Sequence, residues 1–332
     1  MDRDAAVAGA IVVAAGFGSA ILTAFARHWL SRHAILDRPG ERSSHAAPVP
    51  RGAGLAVIAA LAGAWLGLAT QGLAPSETVA VALIACALAL ISFVDDLRNL
   101  PAGVRLLAHF AAVIATLQFF PPNALVFQGL LPPLADRVVT ALLWVWFVNL
   151  YNFMDGIDGI TGIETASIGI GVATVALVAG TGLPWTGLVA AAVAIGFLRF
   201  NWHPARIFLG DCGSVPLGYA IGWLLLVLAR AGPWAPALIL PLYYLADATV
   251  TLARRAARGE ALWRAHRDHF YQRALRGDDH AAVVRLVLAG NIGLVMLALL
   301  SLARPLLAVG LAVALAAAML VLFARRGHGG SS

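Results

Sequence analysis

Apolar stretches of near-constant length recur from one end of the chain to the other, broken by short polar segments. They occupy residues 5–26, 53–70, 78–94, 104–120, 137–153, 166–180, 184–198, 214–229, 234–252, 281–300 and 305–324. Each approaches or reaches the ~20 residues that a helix needs to cross a bilayer. The stretch at 166–180 fits a span least well. Strand-like alternation is absent, so helices rather than a barrel would satisfy the backbone. The pattern predicts an all-α, polytopic integral membrane helical bundle with about eleven (10–11) transmembrane helices. No linker is long enough to divide it, so residues 1–332 read as one membrane domain.

Composition agrees. The chain is 61% hydrophobic and 12% charged, with mean hydropathy +0.84, where soluble domains are typically about a quarter charged. The leading "MDRD" and the length of the first apolar run argue against a cleavable signal peptide. Net charge is +6 and every basic residue is Arg. With the N-terminus outside, the inner segments hold 19 arginines, seven of them in 254–276, against Arg3, Arg137, Arg230 and Arg304 outside. That asymmetry follows the positive-inside rule. Basic residues at a membrane can also hold lipid headgroups, and they give no reason to expect a nucleic-acid partner. Two cysteines, Cys86 and Cys212, are too few for a disulfide framework or thiolate cluster.

The unusual polar residues collect on the inner segments. "ISFVDDLRNLPAGVR" ends one span with Asp95 beside Asp96, a repulsive pair that a cation or fixed positive group would relieve. "FVNLYNFMDGIDGITGIE" puts Asn149 and Asn152 on one helix face, followed by Asp155 and Asp158 in a Gly-punctuated turn. "RFNWHPARIFLGDCGSVPLG" sets Asp211 between glycines at a helix start, where a carboxylate suits magnesium or a plain N-cap. "RRAARGEALWRAHRDHFYQR" carries His266, Arg267 and His269, a poor zinc pattern but a good phosphate-binding one. Asp247 falls inside an apolar run, where an acid is expensive without a partner. The first inner loop, "LDRPGERSSHAAPVPRGAG", adds Asp37, Arg42, His45 and Arg51. Taken singly, several of these motifs could be caps, turns or an interfacial helix. Together they suit a phosphorylated substrate with a metal ion, met at one membrane surface.

At these residues the sequence resembles the polyprenyl-phosphate N-acetylhexosamine-1-phosphate transferases, glycosyltransferase family 4. The motifs "LDRPGERSSHAAPVPRGAG", "FVDDL", "NLYNFMDGIDG", "RIFLGDCGSVPLG" and "AHRDHFYQR" come in family order between residues 36 and 273. The resemblance implies transfer of a sugar-1-phosphate from a UDP-sugar to undecaprenyl phosphate, releasing UMP, in a bacterial inner membrane. It implies Mg2+ as cofactor with Asp211 as its ligand, and Asp95 and Asp96 at the reacting phosphates. Asn149, Asn152, Asp155 and Asp158 would hold nucleotide and sugar, Phe208 would stack on uracil, and His266, Arg267, His269, Arg42 and His45 would bind the phosphates. Asn99 after the acidic pair, "RSSH" in the first loop and Tyr271 in the last motif resemble the branch that starts O-antigen repeats with 6-deoxyhexosamines. The resemblance leaves a homodimer open. The alternative class is a transporter or flippase for a polyprenyl-linked or anionic solute, which would want its acids near mid-membrane.

Overall fold

The computed structural model describes residues 2–37, 48–121, 125–261 and 266–329, so Arg42 and His45 lie outside the described residues. The elements run α1 (Asp2–Arg32), β1 (Leu36–Asp37), β2 (Val49–Pro50), α2 (Gly54–Thr70), α3 (Thr78–Arg98) and α4 (Ala102–Leu117). They continue α5 (Pro133–Phe153), α6 (Ile160–Ala179), α7 (Pro184–Asn201), α8 (Asp211–Arg230), α9 (Trp234–Ile239) and α10 (Leu242–Ala257). The last are α11 (Phe270–Ala274), α12 (His280–Leu300) and α13 (Pro305–Gly329).

All eleven apolar runs fall on helix. Among the described residues, seven helices, α1, α3, α5, α6, α8, α12 and α13, are long and apolar enough to cross a membrane, which makes this a multi-pass membrane protein. The expected count of about eleven is not reached by length alone. Helices α2 and α4 are apolar but have 17 and 16 residues. At ~1.5 Å per residue they fall a few Å short of a ~30 Å hydrocarbon core. The run at 234–252 is not one helix. It breaks between Ile239 and Leu242 at Pro241, whose missing N–H and ring clash oppose a continuous helix. The run at 166–180 gains a turn and a half upstream, because α6 begins at Ile160 directly after the glycine turn.

Helix α8 is the centre of the bundle, with α2, α3, α5, α6 and α9 packed around it. A second layer stacks α6 on α7 and α7 on α1. Small residues set that spacing: a Cβ on Gly169 or Gly187 would lie 2.7 Å from the other's carbonyl oxygen. Such close backbone approach is how membrane helices gain van der Waals contact without a hydrophobic driving force.

One feature outside the helices positions the site. β1 and β2 pair antiparallel, and Arg51 bridges to Phe208 just beyond them. The N–H groups of Gly52 and Ala53 both donate to the Phe208 carbonyl, and Gly54 N–H donates to Leu209 O at 2.9 Å. The end of the first polar loop is thereby stitched to the segment that leads into α8.

Candidate active site

Asp95 and Asp96 emerge at the C-terminal end of α3, and the two carboxylates do different work. Asp96 spends both oxygens on the start of α8: Asp211 N–H donates to Oδ1 at 3.2 Å and Cys212 N–H to Oδ2 at 3.1 Å. It is an N-cap supplied from another helix. Gly210 permits this. It has φ +77, and a Cβ there would stand 2.7 Å from Asp96 Oδ2. Asp95 holds Leu100 N–H on Oδ1 at 2.7 Å, while its Oδ2 faces Arg105 at 3.4 Å.

Two arginines neutralise this centre. Arg51 Nη2 lies 2.7 Å from Asp96 Oδ1 and 2.8 Å from Asp211 Oδ1. Arg105 reaches Asp95 and, at 3.9 Å, Asp211 Oδ2. Burial works against a charged Arg51, yet Asp96, Asp211 and Asp37 raise its pKa above the ordinary arginine value. Three carboxylates thus face two guanidinium groups. The oxygen-rich, net-negative set of Asp95, Asp96 and Asp211 suits a hard divalent cation such as magnesium. A second group, Asp158, His203 and His280, has ligand-type atoms within 4.8 Å of one another. Its mixed nitrogen and oxygen donors suit magnesium poorly.

Two cavities adjoin at this centre. One of about 120 Å³ is mostly polar, lined by Arg51, Asp95, Asp96, Asn99, Arg105 and Asp211 along with Leu100. The other, of about 190 Å³, shares Asp95, Arg105 and Asp211 with it and continues between α3, α4 and α5. Its walls there are Leu88, Ile91, Leu106 and Phe153, with Asn149 and Asn152 on the α5 side.

Helix α5 ends at Phe153, and the turn after it carries the remaining acids. Asn152 Nδ2 donates to Ser214 Oγ at 2.8 Å, tying α5 to α8. Burial is the largest influence on Asp155. With Asp211 and Asp96 nearby, and against a hydrogen bond from Thr161, it pushes the carboxyl up to about 7. An unfolded Asp titrates near ~3.9, so the native protein binds this proton more tightly. The sign follows: stability is full below about pH 4 and is lost as pH rises through about 7. In divalent-free buffer, thermal unfolding of the wild type should therefore fall between about pH 5 and pH 8. Asp155→Asn should flatten that decline, and an unchanged slope in the variant would count against the assignment.

Asp158 is engaged on both of its oxygens. Its Oδ2 accepts from His203 Nδ1 at 2.7 Å and from Ala205 N–H at 3.0 Å, and His280 Nδ1 lies 3.4 Å from Oδ1. Burial alone would raise its pKa, but these partners hold it below the usual carboxylate range. Asn201, at the end of α7, joins the two motifs on either side: it accepts from Gly159 N–H at 2.9 Å and donates to Ile207 O at 3.0 Å.

The histidine motif is organised by a buried acid. Asp247 of α10, fully enclosed, lies 3.1 Å from His269 Nδ1. It also accepts the Phe270 and Tyr271 N–H groups at 3.0 and 3.1 Å. Tyr271 reaches on to donate to Phe153 O at 3.3 Å, and a Cβ on Gly156 would strike its hydroxyl. The aromatic at 271 therefore locks the histidine segment onto the Asn–Asp turn. His266 stacks near His269, their rings 5.0 Å apart. Burial, His269 and Arg255 push His266 down to about 4, so its ring is neutral near pH 7.

The structure brings Asp95, Asp96, Asn149, Asn152 and Asp211 together around the two cavities. It places Asp155 close enough for Asp211 and Asp96 to act on its charge. Phe208 adjoins through its backbone pairing with Arg51. Arg267 is exposed beside the histidines. Sequence reasoning missed Arg105, Asn201, Ser214 and the partners of Asp158. Arg105 and Asn201 did leave a signal, as polar residues at the margins of apolar runs.

Residues 78–229, which span α3 to α8, match the profile of glycosyl transferase family 4. The chain is 27% identical over 275 residues to a Bacillus subtilis protein named "Probable undecaprenyl-phosphate N-acetylglucosaminyl 1-phosphate transferase", covering 77% of this chain and 74% of that one. It is 26% identical over 318 residues to the decaprenyl-phosphate N-acetylglucosaminephosphotransferase of Mycolicibacterium smegmatis, covering 82% and 77%. A shorter stretch of 88 residues is 41% identical to the phospho-N-acetylmuramoyl-pentapeptide-transferase of Moorella thermoacetica, covering 26% and 28%. The matched residues contain Asp95, Asp96, Asn149, Asn152, Asp155, Asp158, Phe208 and Asp211, so the segment from α3 to α8 that carries these side chains has the pattern of glycosyl transferase family 4.

Proposed function

We propose that the protein transfers an N-acetylated hexosamine-1-phosphate, of the 6-deoxy class, from a UDP-sugar to undecaprenyl phosphate and releases UMP. This would be the first step of a lipid-linked O-antigen or related envelope glycan. The enzyme would sit in a bacterial inner membrane with eleven crossings, counting α9 with α10 as one, its N-terminus outside and its site cytoplasmic. The observation that carries the reading is the pair of adjoining cavities. One is mostly polar, the other half apolar, and Asp95, Arg105 and Asp211 stand in the wall of both. A soluble, charged donor and a lipid acceptor need that arrangement, whereas a transporter would want its acids along a path through the bundle.

In the reaction, an oxygen of the acceptor phosphate forms a bond to the sugar-bearing phosphorus of the donor. The bond from that phosphorus to the bridging oxygen breaks, and the electron pair leaves with UMP. Such a step needs in-line positioning and charge neutralisation more than a strong base. Magnesium, held by Asp211 with Asp95 in reach, would neutralise the phosphates when bound. Arg51 and Arg105 supply fixed positive charge on either side of Asp211. Asp95, which lines both cavities, is the acid that meets the reacting groups, while Asp96 holds the α8 N-terminus and Arg51 in place. Asn152 and Asp155 face the donor. Asp158 shapes their turn through His203 and His280. His266, Arg267 and His269, with Arg42 and His45, would gather the pyrophosphate, and Phe208 the uracil.

Purified protein in detergent, given undecaprenyl phosphate, magnesium and a panel of UDP-N-acetylhexosamines, should release UMP with one donor and none after EDTA. Folded protein that releases no UMP from any donor would refute the proposal.

A further inference from the structure

His109 stands where a membrane helix should not carry a polar group without use. It lies in the middle of α4, within "LLAHFAAV", and is 6% exposed. It is one turn beyond Arg105 on the same helix face. Its ring lines the larger cavity with Asp95, Arg105, Asn149, Asn152 and Asp211. One ring nitrogen is engaged. Asn149 uses its Nδ2 on Val145 O at 2.7 Å, which leaves its oxygen to accept from the imidazole. The other, Nδ1, is buried with no partner. Buried polar atoms are almost always paired, and an unpaired one in a membrane helix marks a functional position by default.

The cavity says what would pair with it. Its polar end is the carboxylate–arginine centre; its other walls are Leu88, Ile91, Leu106 and Phe153. Ile91, Leu106 and Phe153 are also exposed on the outside of the bundle, toward lipid. A ligand there has an apolar chain reaching the bilayer and an anionic head near Arg105. We propose that His109, held by Asn149, binds the head phosphate of the polyprenyl-phosphate acceptor and so sets the depth at which that phosphate meets Asp95 and Arg105. A phosphate monoester suits the free nitrogen in either ring tautomer, because near neutral pH its oxygens are partly ionised and partly protonated (second pKa about 6). The inference rests on the transferase reading for the lipid's role, while the contact itself is testable without turnover.

The test is kinetic first. With the donor saturating, His109→Ala should raise the KM for undecaprenyl phosphate about tenfold or more, with the donor KM within about twofold, a loss typical of one buried hydrogen bond to a charged group. His109→Gln, which can still donate and accept, should recover most of it. Equal changes in both KM values, or none, overturn the proposal. The second measurement is thermal stabilisation in detergent by undecaprenyl phosphate, by undecaprenol and by inorganic phosphate. The phosphorylated lipid alone should protect the wild type and His109→Gln strongly and His109→Ala weakly. Equal protection by undecaprenol, by free phosphate, or of all three proteins overturns it. A wild type that is protected but releases no UMP would sink the transferase reading and leave the lipid-phosphate contact standing. If His109→Ala does not fold, His109→Phe, which keeps the ring and loses both nitrogens, takes its place.

Discussion

Asp211→Ala is expected to lower UMP release by about 10³-fold or more while leaving the protein folded, the scale of loss seen when a principal electrostatic group is removed from a reacting centre. The geometry separates the two effects. Asp211 is the first residue of α8 and keeps about a quarter of its side chain exposed, so its removal opens no buried hole. Its stabilising share is that of an acid in a first helical turn, about 0.3–1 kcal/mol. The α8 N-terminus keeps its cap, because Asp96 accepts the backbone N–H groups of residues 211 and 212 whatever side chain stands at 211. Arg51 keeps Asp96 as a partner at 2.7 Å. What disappears is one of the two carboxylates common to both cavities, and with it the oxygens that Arg51 and Arg105 face there. Turnover and thermal unfolding measured in parallel check this: a rate within tenfold of wild type would remove Asp211 from the centre. A large fall in unfolding temperature would recast it as a structural residue.

How much of this was legible beforehand depends on the kind of signal. Helices announced themselves because an apolar run has to satisfy its own backbone in lipid. The exceptions are local. Pro241 was visible inside the run at 234–252 and should have split it, since a proline there forfeits a hydrogen bond. The candidate site was legible because Asp95, Asn152, Asp155 and Asp211 interrupt apolar sequence at a cost that needs a reason. Asp95 and Asp96 could not be told apart, since their difference lies in α8, 115 residues away, whose first N–H groups only Asp96 reaches. The neighbours of Asp158 were hidden for the same cause: His203 and His280, which engage it, lie in distant segments. Arg51 and Arg105 looked like two more basic residues on an Arg-rich face, and only their distances to Asp96, Asp211 and Asp95 single them out.

Asp247→Ala is expected to be the most destabilising single change at this end of the bundle, by about 3–5 kcal/mol, as for a buried charge cluster that loses one partner. Asp247 is fully enclosed and accepts from five groups: the Phe270 and Tyr271 N–H groups, His269 Nδ1, and the Tyr243 and Thr251 hydroxyls at 3.3 Å each. Alanine strands the two backbone donors where water cannot replace the carboxylate. Asp247→Asn keeps the shape but turns one oxygen into an N–H donor facing other donors, so it should cost less, on the order of 1–3 kcal/mol. The damage should also travel. Asp247 fixes His269, Tyr271 follows in the same short helix, and Tyr271 braces the Asn–Asp turn through Phe153 O. Both variants should therefore weaken donor use, with a higher donor KM and an acceptor KM nearly unchanged, the reverse of the pattern expected for His109→Ala. Thermal unfolding with the two KM values decides the matter. An Asp247→Asn protein as stable and as active as wild type would mean that the histidine segment holds its place without the acid beneath it.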